Sequence, residues 1–93
     1  VIKSFRHDGL ERFYRNGSKA GIQPKHAKKL TAQLSALDAA MTPGDLAAFP
    51  TWRLHELIGD QAGRWSIWVD ENWRLTFAFE ATDVVLLDYE DYH

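Results

Sequence analysis

Between Trp65 and Phe79 the apolar side chains fall on every second residue, and that spacing constrains the fold more than any other feature of the chain. Trp65, Ile67 and Val69 alternate with polar positions, as do Trp73, Leu75, Phe77 and Phe79. A period of two is that of a half-buried β-strand, because successive side chains point to opposite faces. Candidate strands therefore run over Trp52–Leu57, Arg64–Val69, Trp73–Glu80 and Val84–Tyr89. Gly59-Asp60, Asp70-Glu71-Asn72 and Ala81-Thr82-Asp83 supply turns short enough for an antiparallel arrangement. One face of this sheet is apolar. The other carries Arg53, His55, Ser66, Trp68, Arg74, Thr76 and Ala78, and is expected to face solvent, as one face of an antiparallel sheet commonly does.

The first half of the chain reads as helical. Ile2–Phe5 predicts a short first strand. Asp8 stands three residues before Glu11 in a capping-box pattern, so Asp8 is the expected cap of a helix that carries Leu10, Phe13 and Tyr14 on one face and stops at Asn16-Gly17. Pro24 opens a second helix, in which Ala27, Leu30, Leu34, Leu37 and Met41 recur at spacings of three and four and form a core stripe. Thr42-Pro43-Gly44-Asp45 predicts a further capped turn, ended by Pro50. At 93 residues the chain fits one domain spanning 1–93, of α+β class: an N-terminal strand and two helices on one face of a mainly antiparallel sheet of four to five strands.

Composition excludes some chemistry. With no cysteine there is neither a disulfide nor a thiolate nucleophile. His7, His26, His55 and His93 lie in separate elements without metal-ligand spacing, so no metal or other cofactor is expected. No apolar run approaches the ~18 residues of a membrane span, and no signal peptide is visible. The expectation is a cytoplasmic protein without a membrane partner. Net charge is −2, yet residues 1–30 hold eight Lys/Arg against two acids, a net of +6, while residues 31–93 hold three against eleven, a net of −8. Lys19, Lys25, Lys28 and Lys29 thus form a basic patch, read either as solvated helix surface or as contacts to a polyanion. Several of these lysines occupy a helix start, where positive charge opposes the macrodipole, and this favours the second reading.

Arg74 is placed differently, in the middle of the most apolar strand. Its planar, permanently charged fork suits a phosphate there. Trp68 on the same face either stacks a base or is covered by a C-terminal segment. Arg53 is a second candidate RNA contact on that face, or plain surface. The chain ends Asp88-Tyr89-Glu90-Asp91-Tyr92-His93. Asp91, Tyr92 and His93, with His55 and Arg74, offer what metal-free RNA cleavage needs. A base takes the 2′-hydroxyl proton, an acid serves the departing 5′-oxygen, and fixed positive charge holds the crowded phosphate.

Taken in order and at their intervals, Ile2-Lys3-Ser4-Phe5, Arg53-Leu54-His55, Gly59-Asp60, Trp65-Ser66-Ile67, Asn72-Trp73-Arg74-Leu75-Thr76-Phe77 and the terminal hexapeptide resemble HigB-type toxins of the RelE/ParE superfamily, over nearly the whole chain. The resemblance implies a type II toxin that cuts mRNA in the ribosomal A site, contacting mRNA and rRNA. It implies a helix-turn-helix antitoxin of the HigA type, through which operator DNA is bound indirectly. It assigns proton transfer to His55 and His93, catalytic or orienting roles to Asp91 and Tyr92, and the phosphate clamp to Arg74. Where many relatives read His-Pro-Leu-Lys-Gly-Asp, this chain reads His55-Glu56-Leu57-Ile58-Gly59-Asp60, so one phosphate-neutralising charge is replaced by Ile58. Two other functions fit the same fold: a ParE-like toxin acting on a protein such as DNA gyrase, against which the histidine-bearing tail argues, and an inactivated antitoxin-binding corepressor.

Overall fold

The computed structural model describes residues 1–91; Tyr92 and His93, two of the candidate site residues, lie outside the described residues. Helix α1 spans Asp8–Asn16. Its cap is His7, not Asp8: the His7 ring Nδ1 accepts the Leu10 N–H at 2.9 Å. Asp8 is instead the first helical residue and joins Glu11 in the first turn, where negative charge favours the exposed N–H groups. The helix stops at Gly17, whose φ of 78° is the left-handed conformation expected there, with its N–H bonded to the Phe13 carbonyl. Gly9 lets the following loop close onto α1, since a Cβ at Gly9 would lie 2.4 Å from the Gly21 carbonyl oxygen.

A 3-10 turn at Pro24–His26 leads into helix α2, Ala27–Ala39, which buries Leu30, Gln33, Leu34 and Leu37. The stripe ends earlier than its spacing suggests. Ala40 is extended, and Met41 is 62% exposed. The Asp45 carboxylate accepts the N–H groups of both Met41 and Thr42, and this capping box turns the chain away from the helix axis. Two 3-10 turns follow, Pro43–Ala48 and Pro50–Trp52.

The sheet has order β1-β2-β3-β4, every neighbour antiparallel: β1 His55–Glu56, β2 Trp65–Trp68, β3 Trp73–Glu80 and β4 Asp83–Asp91. The expected first strand of the group, Trp52–Leu57, shrinks to two residues because Trp52 closes a 3-10 turn and Arg53 takes a left-handed φ of 51°. The N-terminal segment adds a parallel edge outside β4 through bridges Ile2–Val84 and Phe5–Leu87. Opposite Thr76–Ala78, β4 carries one residue too many, since Thr76 pairs with Asp88 and Ala78 with Val85. Leu86 sits in this bulge with φ 54°. Its N–H donates to the Ser4 hydroxyl at 2.8 Å.

The apolar sheet face packs on the helices. Leu10, Leu30, Leu37, Ile67, Leu75, Phe77, Val84 and Leu87 are fully buried in one cluster. A buried polar group ties the layers together. His26 Nδ1 lies 2.6 Å from the Tyr89 hydroxyl, and its Nε2 lies 2.6 Å from the Asp70 carboxylate. The start of α2 is thereby fastened to β4 and to the β2–β3 turn. No helix among the described residues is long and apolar enough to cross a membrane.

Candidate active site

Directly paired residues of neighbouring strands share a face, so the register assigns each side chain. His55 pairs with Ser66, Ser66 with Thr76, and Thr76 with Asp88, forming one row across all four strands. Trp68, Arg74 and Glu90 form the next row. Arg64 precedes Ser66 by two residues and so belongs to the same face. Arg53 joins through Trp68, with its guanidinium carbon 4.2 Å from the centre of the indole ring.

This polar face is not the open, solvated surface that its composition suggests. Ser66 and Thr76 are fully buried, and Arg64 is 7% exposed. The Arg64 side chain crosses from β2 over β3 to β4, donating from Nη2 to Thr76 Oγ1 and to the Leu86 carbonyl, both at 2.9 Å. Thr76 in turn donates its hydroxyl proton to Glu90 Oε2 at 2.5 Å. Burial pulls the Arg64 pKa below the usual arginine value, and nearby Arg6 adds to this, while Glu90 and Asp88 oppose it. Arg6 is therefore also close to this face. Arg6, Arg53, Arg64 and Arg74 account for four of the six arginines in the chain.

The structure brings His55, Arg53, Trp68 and Arg74 to one face. His55 is exposed at the sheet edge, its Nδ1 3.3 Å from the Arg53 carbonyl. Trp68 is half-buried, with Arg53 on its ring, so at least one ring face is already occupied. Asp91 is not on the Arg74 row. It pairs with Trp73, so alternation turns it to the helix side, and Glu90 stands beside Arg74. Lys25, Lys28 and Lys29 belong to the helix layer, across the sheet from Arg74, and do not join the group, while Lys19 lies in the loop between α1 and the Pro24–His26 turn. Sequence reasoning missed Arg6, Arg64, Thr76 as a hydrogen-bonding hub, and Glu90. Arg64 was within reach of the strand parity that placed Ser66 and Trp68. Glu90 was not, because the bulge shifts the parity of β4.

An open groove of about 400 Å³ lies elsewhere, between α1 and α2, lined by Phe13, Tyr14, Gly17, Thr31, Leu34 and Ser35. Its one titratable group is Tyr14, whose hydroxyl donates to Asp38 and whose pKa is raised by burial and by that carboxylate. It offers no acid–base pair, so the polar sheet face is the better candidate for chemistry.

Comparison with known proteins agrees with the residue-level resemblance. The family model described as RelE-like toxin of type II toxin-antitoxin system HigB matches residues 3–93. A curated relative from Proteus vulgaris, named Endoribonuclease HigB, is 41% identical over 93 residues, covering 100% of both chains. Among solved structures, YafQ from E. coli strain BL21(DE3) superposes with a TM-score of 0.54, covering 98% of this chain and 93% of that one. At 11% identity that likeness concerns the fold alone, and it matches the expected α+β, RelE-like architecture. From the full-length family match and the full-length relative, the chain belongs to the HigB-like family of type II toxins, whose members are partnered by an antitoxin.

Proposed function

We propose that this toxin is an endoribonuclease that cleaves mRNA on the ribosome by metal-free attack of the 2′-hydroxyl, with the polar sheet face as its active site. The observation that carries this reading is the gathering of Arg53, Arg64 and Arg74 on the face that also presents His55. Of these, Arg53 and Arg74 are the ones that meet a phosphate, since Arg64 is buried and engaged with Thr76 and the Leu86 carbonyl. The full-length relative's name, Endoribonuclease HigB, supports the same chemistry. In this reading Arg74 clamps the scissile phosphate, His55 and His93 exchange protons with the 2′-hydroxyl and the 5′-oxygen, and Tyr92 orients the nucleotide. Asp91, turned to the helix side at the end of β4, acts as an acceptor around the rim of the sheet and not from the Arg74 face. Histidine is suited to proton transfer because its unperturbed pKa of about 6.5 lies near working pH. Arg53 and Trp68 hold the flanking RNA. The lysines of the helix layer contact rRNA on the opposite side. The partner is a helix-turn-helix antitoxin that carries the complex to operator DNA, and the setting is the cytoplasm.

Induction in growing cells, followed by mapping of mRNA 5′ ends, tests this. In-frame cuts within translated codons are expected, and these should vanish with Arg74→Ala and with His55→Ala. Full toxicity in both variants removes the site. Altered supercoiling with intact mRNA would indicate a gyrase-type target instead.

A further inference from the structure

The end of the β3–β4 ladder that carries Arg74 and Asp91 is closed on the helix side by a ring of contacts that the proposed chemistry does not use. Trp73 pairs with Asp91 and Arg74 with Glu90, the two rungs at that end of the register. Asp70, in the turn before β3, accepts the N–H groups of Asn72 and Trp73 with one carboxylate oxygen. Its other oxygen lies 2.6 Å from His26 Nε2. His26 Nδ1 lies 2.6 Å from the Tyr89 hydroxyl, and Tyr89 stacks back on Trp73 with ring centroids 4.5 Å apart. The imidazole meets both aromatic rings edge-on, each at 5.9 Å. The contacts therefore run from Trp73 to Asp70, His26 and Tyr89, and return to Trp73. Proton positions agree around this ring. A carboxylate oxygen only accepts, so Nε2 carries the proton of the bond to Asp70. In the neutral imidazole Nδ1 then accepts the Tyr89 O–H, while the phenol oxygen accepts the Gln23 N–H. Both His26 and Tyr89 are buried, so water does not compete for these bonds. A buried polar network satisfied in this way is rigid.

We infer that His26 and Tyr89 are positioning residues: they latch the end of the sheet to the helix layer and keep the rungs that bear Arg74 and Asp91 from opening. The last rungs of a ladder open at little cost unless buried contacts tie them down. Here the tie comes from His26, which belongs to the helix layer and lies outside the sheet. It therefore holds β3 and β4 to the body of the protein as well as to each other. Trp73 directly precedes Arg74, and Tyr89 lies two residues before Asp91. A shift of either ring moves the backbone from which Arg74 and Asp91 project. A displacement of about 1 Å at a reacting group can cost on the order of 100-fold in rate. The latch acts from behind the sheet, so it touches neither RNA nor the proposed phosphate site.

The inference rests on the proposed active site, and the test separates the two. Purified toxin is assayed for cleavage of mRNA in programmed ribosomes, giving kcat and KM for wild type, Tyr89→Phe, His26→Gln, Arg74→Ala and Val84→Ala. Val84 is fully buried at the opposite end of the same ladder, where it pairs with Phe79, so Val84→Ala loosens the core without touching the latch. Amide hydrogen exchange of each folded variant reports which rungs open. Tyr89→Phe and His26→Gln are expected to lower protection at residues 73–75 and 89–91 by about 10-fold, while residues 78–80 and 83–85 keep theirs. In both variants kcat should fall by about 10-fold or more with KM nearly unchanged, and Val84→Ala should keep the wild-type kcat. Wild-type kcat in Tyr89→Phe and His26→Gln, with Arg74→Ala inactive, overturns the latch and leaves the site standing. Protection lost evenly along the ladder, or an equal fall of kcat in Val84→Ala, makes the two residues merely structural and also overturns it. Full activity of Arg74→Ala overturns the site, and the positioning role with it.

Discussion

Replacing Tyr89 with Phe isolates one hydrogen bond in the layer-spanning polar group. Tyr89 is 4% exposed, and its ring stacks on Trp73 with centroids 4.5 Å apart. Phe keeps that ring and that stacking. It removes the hydroxyl that lies 2.6 Å from His26 Nδ1 and accepts the Gln23 N–H at 3.3 Å. His26 is 4% exposed, so its Nδ1 is left in the interior without water to replace the lost partner. An orphaned buried polar group costs about 1–3 kcal/mol. Gln23 is exposed and its bond is long, so its share is small. The expected loss is therefore about 1–3 kcal/mol, and at roughly 4–8 °C per kcal/mol for a domain of this size the melting temperature should fall visibly. Equilibrium urea unfolding followed by tryptophan fluorescence measures it, with a control showing that the slope is unchanged. A loss below about 0.5 kcal/mol would mean that the short bond contributes no more than an average exposed one, and the reasoning would fail.

Three further outcomes rest on the same geometry. Burial raises the Asp70 pKa, but the bonds it accepts from His26 and from the Asn72 and Trp73 N–H groups outweigh this and leave it below the ordinary carboxylate value. A carboxyl depressed in the folded state stabilises above its unfolded pKa, about 3.9, and that contribution is lost as pH falls toward the folded value. Asp70→Asn should thus flatten the acid limb of stability against pH, and an unchanged limb in urea titrations from about pH 7 to 3 would count against it. Gly9→Ala would force a Cβ to 2.4 Å from a backbone oxygen, and should cost about 1–3 kcal/mol or more by the same unfolding assay. Phe77→Ala, at a fully buried position, should cost about 3–5 kcal/mol. The half-buried Trp73 should cost less when truncated, and the reverse ranking would mean that the core is centred elsewhere.

The parts of the fold that are legible in the sequence are those where one local rule operates without competition. Strand β3 begins and ends at Trp73 and Glu80, because strict alternation runs uninterrupted between two turns. The α2 stripe is readable up to Leu37 and misleading at Met41, where Asp45, four residues further on, captures the backbone N–H. Trp52 is misplaced by pattern alone because its apolar character suits a strand and a 3-10 turn equally, and the left-handed Arg53 that decides the matter leaves no mark in the sequence. At the candidate site, parity finds Arg53, His55, Trp68 and Arg74. It does not find the burial of Ser66 and Thr76, nor the arginine that reaches Thr76 from the neighbouring strand, tertiary events with no local signature.

Insertions at the tips of hairpins are absorbed by solvent, but the segment after Val85 has no such freedom. Removing one residue there would exchange inside for outside in everything downstream: Leu87 and Tyr89 would leave the interior, and Asp88 and Glu90 would enter it. The orientation of residues 87–91 of β4 is therefore decided at a single left-handed backbone position, braced on one flank by a serine hydroxyl from the N-terminal edge segment and on the other by a buried guanidinium. A length change at this point should be far more damaging than most changes of side chain.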